Sequence, residues 1–422
     1  MYNINNLTTE IKECRVCGSK KLTHILSLGE QYITNFVEQP SLNAEKGPLD
    51  LVLCDPLEGG CGLLQLKNTF NHDILYKKYW YRSGISTTMV KELSNIVDNA
   101  EKLVKLNVGD VVIDIGSNDG TLLKQYKTEG IIKVGFEPSN LWELTNGNNV
   151  KILHDYFNFN SFNSEFPGKK AEIITSIAMF YDLENPNSFV SDIKRCLAEN
   201  GVWIIQMNYL GLMLENNTFD NISHEHLEYY SLLTLEKLLQ KHALEVFDVE
   251  LNNVNGGSFR VYIRHLGAQI GNSSTARGRL KAQRDYELNS RLESKETYIN
   301  FARRIEKIKT DLIALLNTIT QQGKKVYIYG ASTRGLVLLQ FAGIDNKLIS
   351  AATDKNPDKW GKYIVGTGIK IIPLTKYRQE KPDYLFVLPY HFIDEIKEQE
   401  KEFINRGGKL IIAIPNVRVI GE

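Results

Sequence analysis

Residues 111–123 read VVIDIGSNDGTLL. A nearly continuous apolar run of this kind reads as a strand buried on both faces, the habit of parallel sheets. The run ends at Gly116, and a second glycine follows at 120. Glycine permits the left-handed backbone of a tight turn and lets a ligand approach the chain closely. A helix is expected from Thr121. Further strands read outward from this stretch at VGFEPS (134–139), AEIITSIAMF (171–180) and GVWIIQMNY (201–209), and FRVYIRH (259–265) reads as a closing antiparallel strand. Strands alternating with helical stretches make a doubly wound α/β unit around a parallel sheet.

A second strand–turn–helix, KKVYIYGASTRGLVLLQFAGI, begins at residue 324 and is followed by LISAATDKNP, DYLFVLPY and KLIIAIP. Between the two units, residues 272–322 are highly charged and helical in pattern, with sparse apolar positions such as Leu280, Tyr286 and Ile305. They read as connecting helices. The expected division is 1–75, 76–270 and 271–422, within a chain of 422 residues.

Lys and Arg total 50 and Asp and Glu total 50, so the formal net charge is zero. Nucleic-acid binding as a main role is disfavoured, because it draws on an excess of basic residues. No run approaches the length of a membrane span, and MYNINNLTTEIKEC has neither the basic nor the apolar part of a signal peptide. The expectation is a cytoplasmic protein, a monomer or weak homo-oligomer, with no membrane or nucleic-acid partner.

In that compartment cysteines stay reduced or bind metal. Four of the five cysteines fall within the first 61 residues: Cys14 and Cys17 in CRVC, Cys54 and Cys61 in CDPLEGGC. Two such pairs read as a tetrahedral Zn²⁺ site, structural because protein fills all four positions. The second pair is widely spaced, and glycines at 59, 60 and 62 would let its loop fold back.

The first glycine turn runs Asp114, Ile115, Gly116, Ser117, Asn118, Asp119, Gly120. Its pattern differs from the dinucleotide fingerprint G-x-G-x-x-G. An acid there is a poor neighbour for pyrophosphate and a good one for a cationic aminoacyl group. Glu137, at the end of the next strand, is placed to accept from both ribose hydroxyls. Together these point to S-adenosylmethionine, with Asp155 and the stretch Ser176–Ala178 as candidates flanking the adenine and the reacting sulfur. The second turn, Gly330 to Gly335 with Ser332 and Arg334, opens a helix whose N-terminus suits phosphate. Asp354 stands where dinucleotide folds carry a ribose-binding acid.

The stretch FDNISHEHLEYYS (219–231) sets His224 and His226 either side of Glu225. An extended backbone would point both histidines one way, as a metal pair would need, but no third ligand is near. Ser231 reads as the cap of the helix that follows. The acid–base reading fits best, since histidine titrates near neutrality. Tyr229, Tyr230 and Ser223 are candidate donors to an oxygen that gains negative charge in the reaction, and Ser258, after a glycine pair, suits a pocket floor. Base chemistry alone does not say whether carbon, oxygen or nitrogen would be methylated. A non-catalytic nucleotide-binding or scaffold protein is the rival of another class.

With CRVCG, YWYRSGISTTM, VVIDIGSNDGTLL, GFEPS, HEHLEYYSLLTLEKLLQKHALEVFDVELNNVNGGSFRVYIR, YGASTRG, TDKNPDKWGKYIVGT and PDYLFVLPY in this order, the chain resembles the three-domain sugar C-methyltransferases. The resemblance implies an α/β protein with a zinc-binding N-terminal module, a central Rossmann-like class I methyltransferase domain and a C-terminal Rossmann-like domain gripping a nucleotide-diphosphate sugar. It implies methylation of the carbon beside a 4-keto group, with His226 as base and Glu225 beside it. Tyr79, Tyr81 and the His224–His226 segment would line the sugar pocket, and Lys355 and Tyr390 join the nucleotide-sugar contacts. Two positions depart from the family pattern: Ser223 stands for a tyrosine and Asp182 for a histidine.

Overall fold

The computed structural model describes residues 8–33, 36–40, 44–76, 81–145, 149–292 and 294–421. Its central sheet has seven strands, with Val111–Ile115 an interior strand buried at all five positions. Ile132–Phe136 and Val150–Leu153 lie parallel on one side of it, and Ala171–Ile177 and Leu197–Asn208 lie parallel on the other. Ser258–His265 then pairs antiparallel with Leu197–Asn208, as expected. Leu244–Asn252, which the sequence reading missed, closes the edge. The direction of strand order reverses between Val111–Ile115 and Ala171–Ile177, the switch point where ligands of open α/β sheets bind.

No α-helix follows the first glycine turn. A single 3₁₀ turn, Leu123–Gln125, ends as Tyr126 becomes extended. Leu122, Leu123 and Tyr126 instead enter a core with Leu93, Ile96, Val97 and Ala100. Those four belong to the amphipathic helix Thr87–Leu103, capped by Ser86. That helix fills the layer over this part of the sheet, which leaves the short turn no long face to cover.

The C-terminal sheet runs Ile371–Pro373, Ala351–Asp354, Val326–Tyr329, Tyr384–Val387, Lys409–Ile412, Arg418–Ile420, with only the last strand antiparallel. Of the connecting helices, Ser274–Asn289 packs on the central domain. Arg279 pairs with Asp248, Arg284 pairs with Glu236, and the Glu287 carboxylate accepts from Leu232 N and Leu233 N. In packing, this helix belongs with the central domain although the expected division placed it with the C-terminal one. The helix Lys295–Gln321 buries Tyr298, Phe301, Ile305, Ile308, Leu312, Leu316 and Ile319, a continuous face at steps of three and four. Its apolar face is thus fuller than the charge-rich sequence suggested.

The N-terminal module contributes Leu22–Tyr32, Lys46–Cys54 and Leu64–Leu66 to a four-stranded antiparallel sheet. The fourth strand is Glu228–Tyr229, from the segment after the histidines, and Leu66 N donates to Leu227 O at 2.8 Å. Leu51 and Leu64 share a core with Ile305, Leu312, Ile328 and Leu336. Cys54 and Leu63 share another with Ile113, Trp203 and Leu235. The small module is therefore packed into both larger domains. Among the described residues, no helix is long and apolar enough to cross a membrane.

Candidate active site

The sulfur atoms of Cys14, Cys17, Cys54 and Cys61 all lie within 4.8 Å of one another. Cys14 and Cys61 are 3.6 Å apart, Cys17 and Cys54 3.4 Å. Tetrahedral Zn–S bonds of about 2.3 Å place sulfurs about 3.8 Å apart, so the cluster fits Zn²⁺ with little adjustment. The wide loop does fold back: Gly59 and Gly62 have φ of +85° and +90°. A Cβ on Gly60 would come within 2.7 Å of the Cys54 carbonyl. Arg15 bonds Leu66 O and Thr69 Oγ1, and Lys237 Nζ bonds Cys61 O, which fixes the knuckle to the strand and helix flanking the histidine segment.

A cavity of 420 Å³ opens at the switch point of the central sheet. Of the cofactor candidates, Asp114, Gly116, Ser117, Asn118, Glu137, Asp155 and Ala178 line it. Ser176 does not, because strand side chains alternate: Ile177 faces the cavity, while Ser176 Oγ accepts from Trp203 Nε1 at 3.0 Å. Gly120 lies behind the wall, where a Cβ would sit 2.3 Å from Thr145 Cγ2. Glu137 accepts from Asn118 N at 2.7 Å with one carboxylate oxygen and from Ser139 N at 2.9 Å with the other. Each oxygen retains a lone pair for a ribose hydroxyl. Ser117 Oγ is buried without a partner. Burial pushes the Asp114 carboxyl up to about 7, against the hydrogen bond from Thr175 and with the Glu137 charge adding to it. The wall therefore fits an adenosyl cofactor: a paired acid for the ribose, an unmatched hydroxyl and a glycine turn.

Asn118 has a structural role besides. Its side chain accepts from Ser83 N at 3.0 Å and donates to Tyr81 O at 3.1 Å, clamping the segment that carries Tyr81 over the turn. Tyr81 lines the cavity, and Tyr79 lies outside the described residues.

The two histidines part company. His224 is buried against Phe70, its Nε2 bonded to Gly47 O at 3.1 Å, and does not line the cavity. Glu225 and His226 do line it. His226 Nδ1 lies 2.7 Å from Asn221 O. A carbonyl only accepts, so Nδ1 carries the proton and Nε2 keeps the ring's free lone pair. Burial pushes the imidazole down to about 4, with the Asn221 carbonyl opposing and the Arg334 charge adding to the effect. Burial also pushes Glu225 up to about 7. His226 is thus neutral across the physiological range with its Nε2 lone pair free, and burial makes it a weaker base than the near-neutral histidine expected from the sequence. The metal-ligating group found among the described residues is the cysteine cluster alone.

Of the substrate candidates, Ser223, Asp182, Ser258, Ser332 and Arg334 line the cavity. Tyr230 is buried and donates to Glu228 at 2.9 Å. Tyr229 is buried as well, its hydroxyl toward Asn221 O. Gly330 packs on Pro389, and a Cβ there would lie 2.7 Å from that ring. Asp354 is bonded to Lys359 at 3.2 Å, and exposed Lys355 faces Glu395. Arg334 does not present its whole guanidinium to a ligand. Its donors go to Asn255 O, to Asp220 at 3.0 Å and to the Tyr390 hydroxyl at 3.2 Å, so Arg334 and Tyr390 join the two large domains. The physical reason is Asp220, only 2% exposed, which requires a countercharge. His391, which the sequence left as structural, lines the cavity with its Nδ1 unpartnered. Tyr76, Tyr181 and Gln206 line it too, and no motif marked them.

Three family models match successive segments of the chain: a zinc binding domain over 14–76, a methyltransferase domain over 89–249 and a C-methyltransferase C-terminal domain over 253–415. The chain is 29% identical over 423 residues to C-methyltransferase NovU of Streptomyces niveus, spanning 99% of each protein. The solved structure of the plantazolicin methyltransferase BpumL in complex with SAH is similar at a TM-score of 0.33 and 12% identity, over 41% of this chain and 82% of that one. An S-adenosylmethionine-dependent methyltransferase from Clostridium acetobutylicum ATCC 824 gives 0.33 and 14%, over 42% and 92%. Likeness that loose carries no argument. The weight rests on three domain matches in one order, laid over a cysteine cluster and a cofactor wall already built to suit them. On that ground the chain carries a zinc-binding domain, an S-adenosylmethionine-dependent methyltransferase domain and a C-methyltransferase C-terminal domain in that order, with four cysteines placed to hold a structural zinc ion.

Proposed function

We propose that the protein methylates the carbon alpha to the 4-keto group of a nucleotide-diphosphate sugar, with His226 as general base. The observation that carries this reading is a single cavity shared by the first glycine turn, by Glu225 and His226, and by Ser332 and Arg334 of the second glycine turn. Bound S-adenosylmethionine supplies an electrophilic methyl group. His226 Nε2 takes the proton from the carbon beside the ketone, and the Nδ1–H bond to Asn221 O keeps the ring from turning. The imidazolium that forms lies beside Glu225, whose carboxylate form stabilises it. Phe136, Met179 and Phe189 in the wall exclude water from the enolate.

Turnover in deuterated water with paired keto and non-keto nucleotide sugars, read by mass spectrometry, tests the reading. Methyl gain confined to keto sugars, with deuterium entering beside the ketone, is the expected result. Methyl gain on sugars without a ketone would place the methyl on oxygen or nitrogen and reject the enolate route.

Glu225 also sets a pH dependence. Glu225, held up at about 7, is charged above that value and neutral below it. Its support of the imidazolium is lost as pH falls, so kcat should rise with pH through an inflection near 7. In Glu225→Gln that inflection should vanish and kcat should be low and flat across the same window. A wild-type profile without the inflection would remove Glu225 from this role.

A further inference from the structure

The 3₁₀ turn Phe219–Asn221 lies in the central domain by sequence, yet Phe219 is buried in a core with Leu336 and Phe341 of the C-terminal one. The helix Thr333–Ala342 grips this turn from both of its ends. At one end Arg334 donates to the Asp220 carboxylate at 3.0 Å, and the Tyr390 hydroxyl donates to it at 3.1 Å. At the other the Phe341 ring meets Phe219 edge-on, with centroids 5.5 Å apart. The residue after Asp220 supplies the carbonyl that His226 Nδ1 meets at 2.7 Å, and Ser223 N donates to the same oxygen at 3.1 Å. A neutral imidazole carries one proton on two nitrogens, and the partner of one nitrogen decides which lone pair the other keeps. His226 also meets the Tyr181 ring, with centroids 4.4 Å apart. An edge contact of that kind does not choose between tautomers, whereas a carbonyl does. With Asn221 O turned aside, the proton would be free to move to Nε2, and the ring would have no lone pair on that nitrogen.

We propose that Arg334 is a positioning residue for His226: its ion pair with Asp220 fixes the turn whose Asn221 carbonyl selects the Nδ1–H tautomer. The C-terminal domain thereby sets the base of the central one. This rests on the reading of His226 as general base and adds the residue that holds it ready. Arg334 also lines the cavity, so a direct contact with the acceptor is the alternative account of any effect it has on turnover. Asp220 separates the two accounts, because it does not line the cavity and a change there acts on the ion pair alone.

The tautomer is read by ¹⁵N NMR of protein labelled at the histidine rings, with the His226 signals assigned by their loss in His226→Asn. The wild type should show a protonated Nδ1 and a bare Nε2. In Arg334→Gln, and to a smaller extent in Asp220→Asn, the two forms should mix. In Arg334→Gln kcat should fall by about 10- to 100-fold, the scale of a catalytic group displaced from its working geometry. KM for S-adenosylmethionine should stay close to the wild-type value. Arg334→Lys, which keeps the charge, should restore the Nδ1–H signal and most of kcat. Should Arg334→Gln fail to fold, Asp220→Asn decides. An unchanged His226 tautomer in the variants overturns the proposal, and a raised KM for the nucleotide sugar in Arg334→Gln would then make Arg334 an acceptor contact instead. Mixed tautomers in the variants of a protein that turns over no nucleotide sugar uphold the positioning of His226 and reject the function proposed above.

Discussion

His226→Asn is expected to lower kcat by about 100- to 10,000-fold, the range a positioned general base contributes. The substitution leaves an amide able to donate to Asn221 O, so the segment retains its shape while the free ring lone pair is lost. Binding of S-adenosylhomocysteine should hold within a few-fold, because Glu137, Ser117 and the glycine turn are untouched. Deuterium uptake beside the ketone should fall with methyl transfer, since one proton removal feeds both. Two outcomes carry different messages. Loss of methyl transfer with exchange intact would assign the base elsewhere in the cavity, with His391 the next group to examine. Full activity in the variant would reject the base assignment.

Loss of the metal should have the second large effect. Structural Zn²⁺ in small cysteine sites contributes about 10–16 kcal/mol of apparent folding free energy near neutral pH. Cys54→Ser removes one ligand and leaves three cysteines facing a weakened centre. Elemental analysis should show the zinc content falling well below one per chain, and thermal unfolding should begin at lower temperature. Cys54 shares its core with Ile113 and Trp203 of the central sheet, so the damage should not stay in the first domain. Hydrogen exchange across residues 223–230 should quicken, because Glu228–Tyr229 pairs with Leu64–Leu66 immediately after the knuckle. Activity should fall with it. A variant with normal exchange in that segment and normal turnover would show that the strand pairing holds without the metal.

What the sequence disclosed follows from how local each signal was. The buried strand, the glycine turn with Glu137 and the two cysteine pairs are short-range patterns, and each corresponds to a built feature. His224 and His226 could not be told apart from sequence, because their difference comes from partners far along the chain: Gly47 O for one and Asn221 O with the cavity for the other. Arg334 looked like a phosphate ligand because the motif did not show Asp220, which lies in another domain and claims it. The same holds for Lys359 on Asp354. His391 was passed over for the converse reason: it carries no motif, and only the folding of the C-terminal sheet against the central one brings it to the cavity. The expected helix at Thr121 failed through competition for layer space with Thr87–Leu103, a tertiary effect that propensity does not encode.

The shared N-terminal sheet has a consequence for how the chain is made and recombined. Leu64–Leu66 emerges from the ribosome long before Glu228–Tyr229, the strand that covers its edge. Until then the nascent module exposes an open β edge, a template for wrong pairing. A chimera cut at residue 75 would separate that edge from its own closing strand and marry it to a foreign one. Exchange of the first domain between relatives should therefore yield folded protein only when residues 223–231 travel with it, so the unit that evolution can shuffle is not the unit that the linear map of domains suggests.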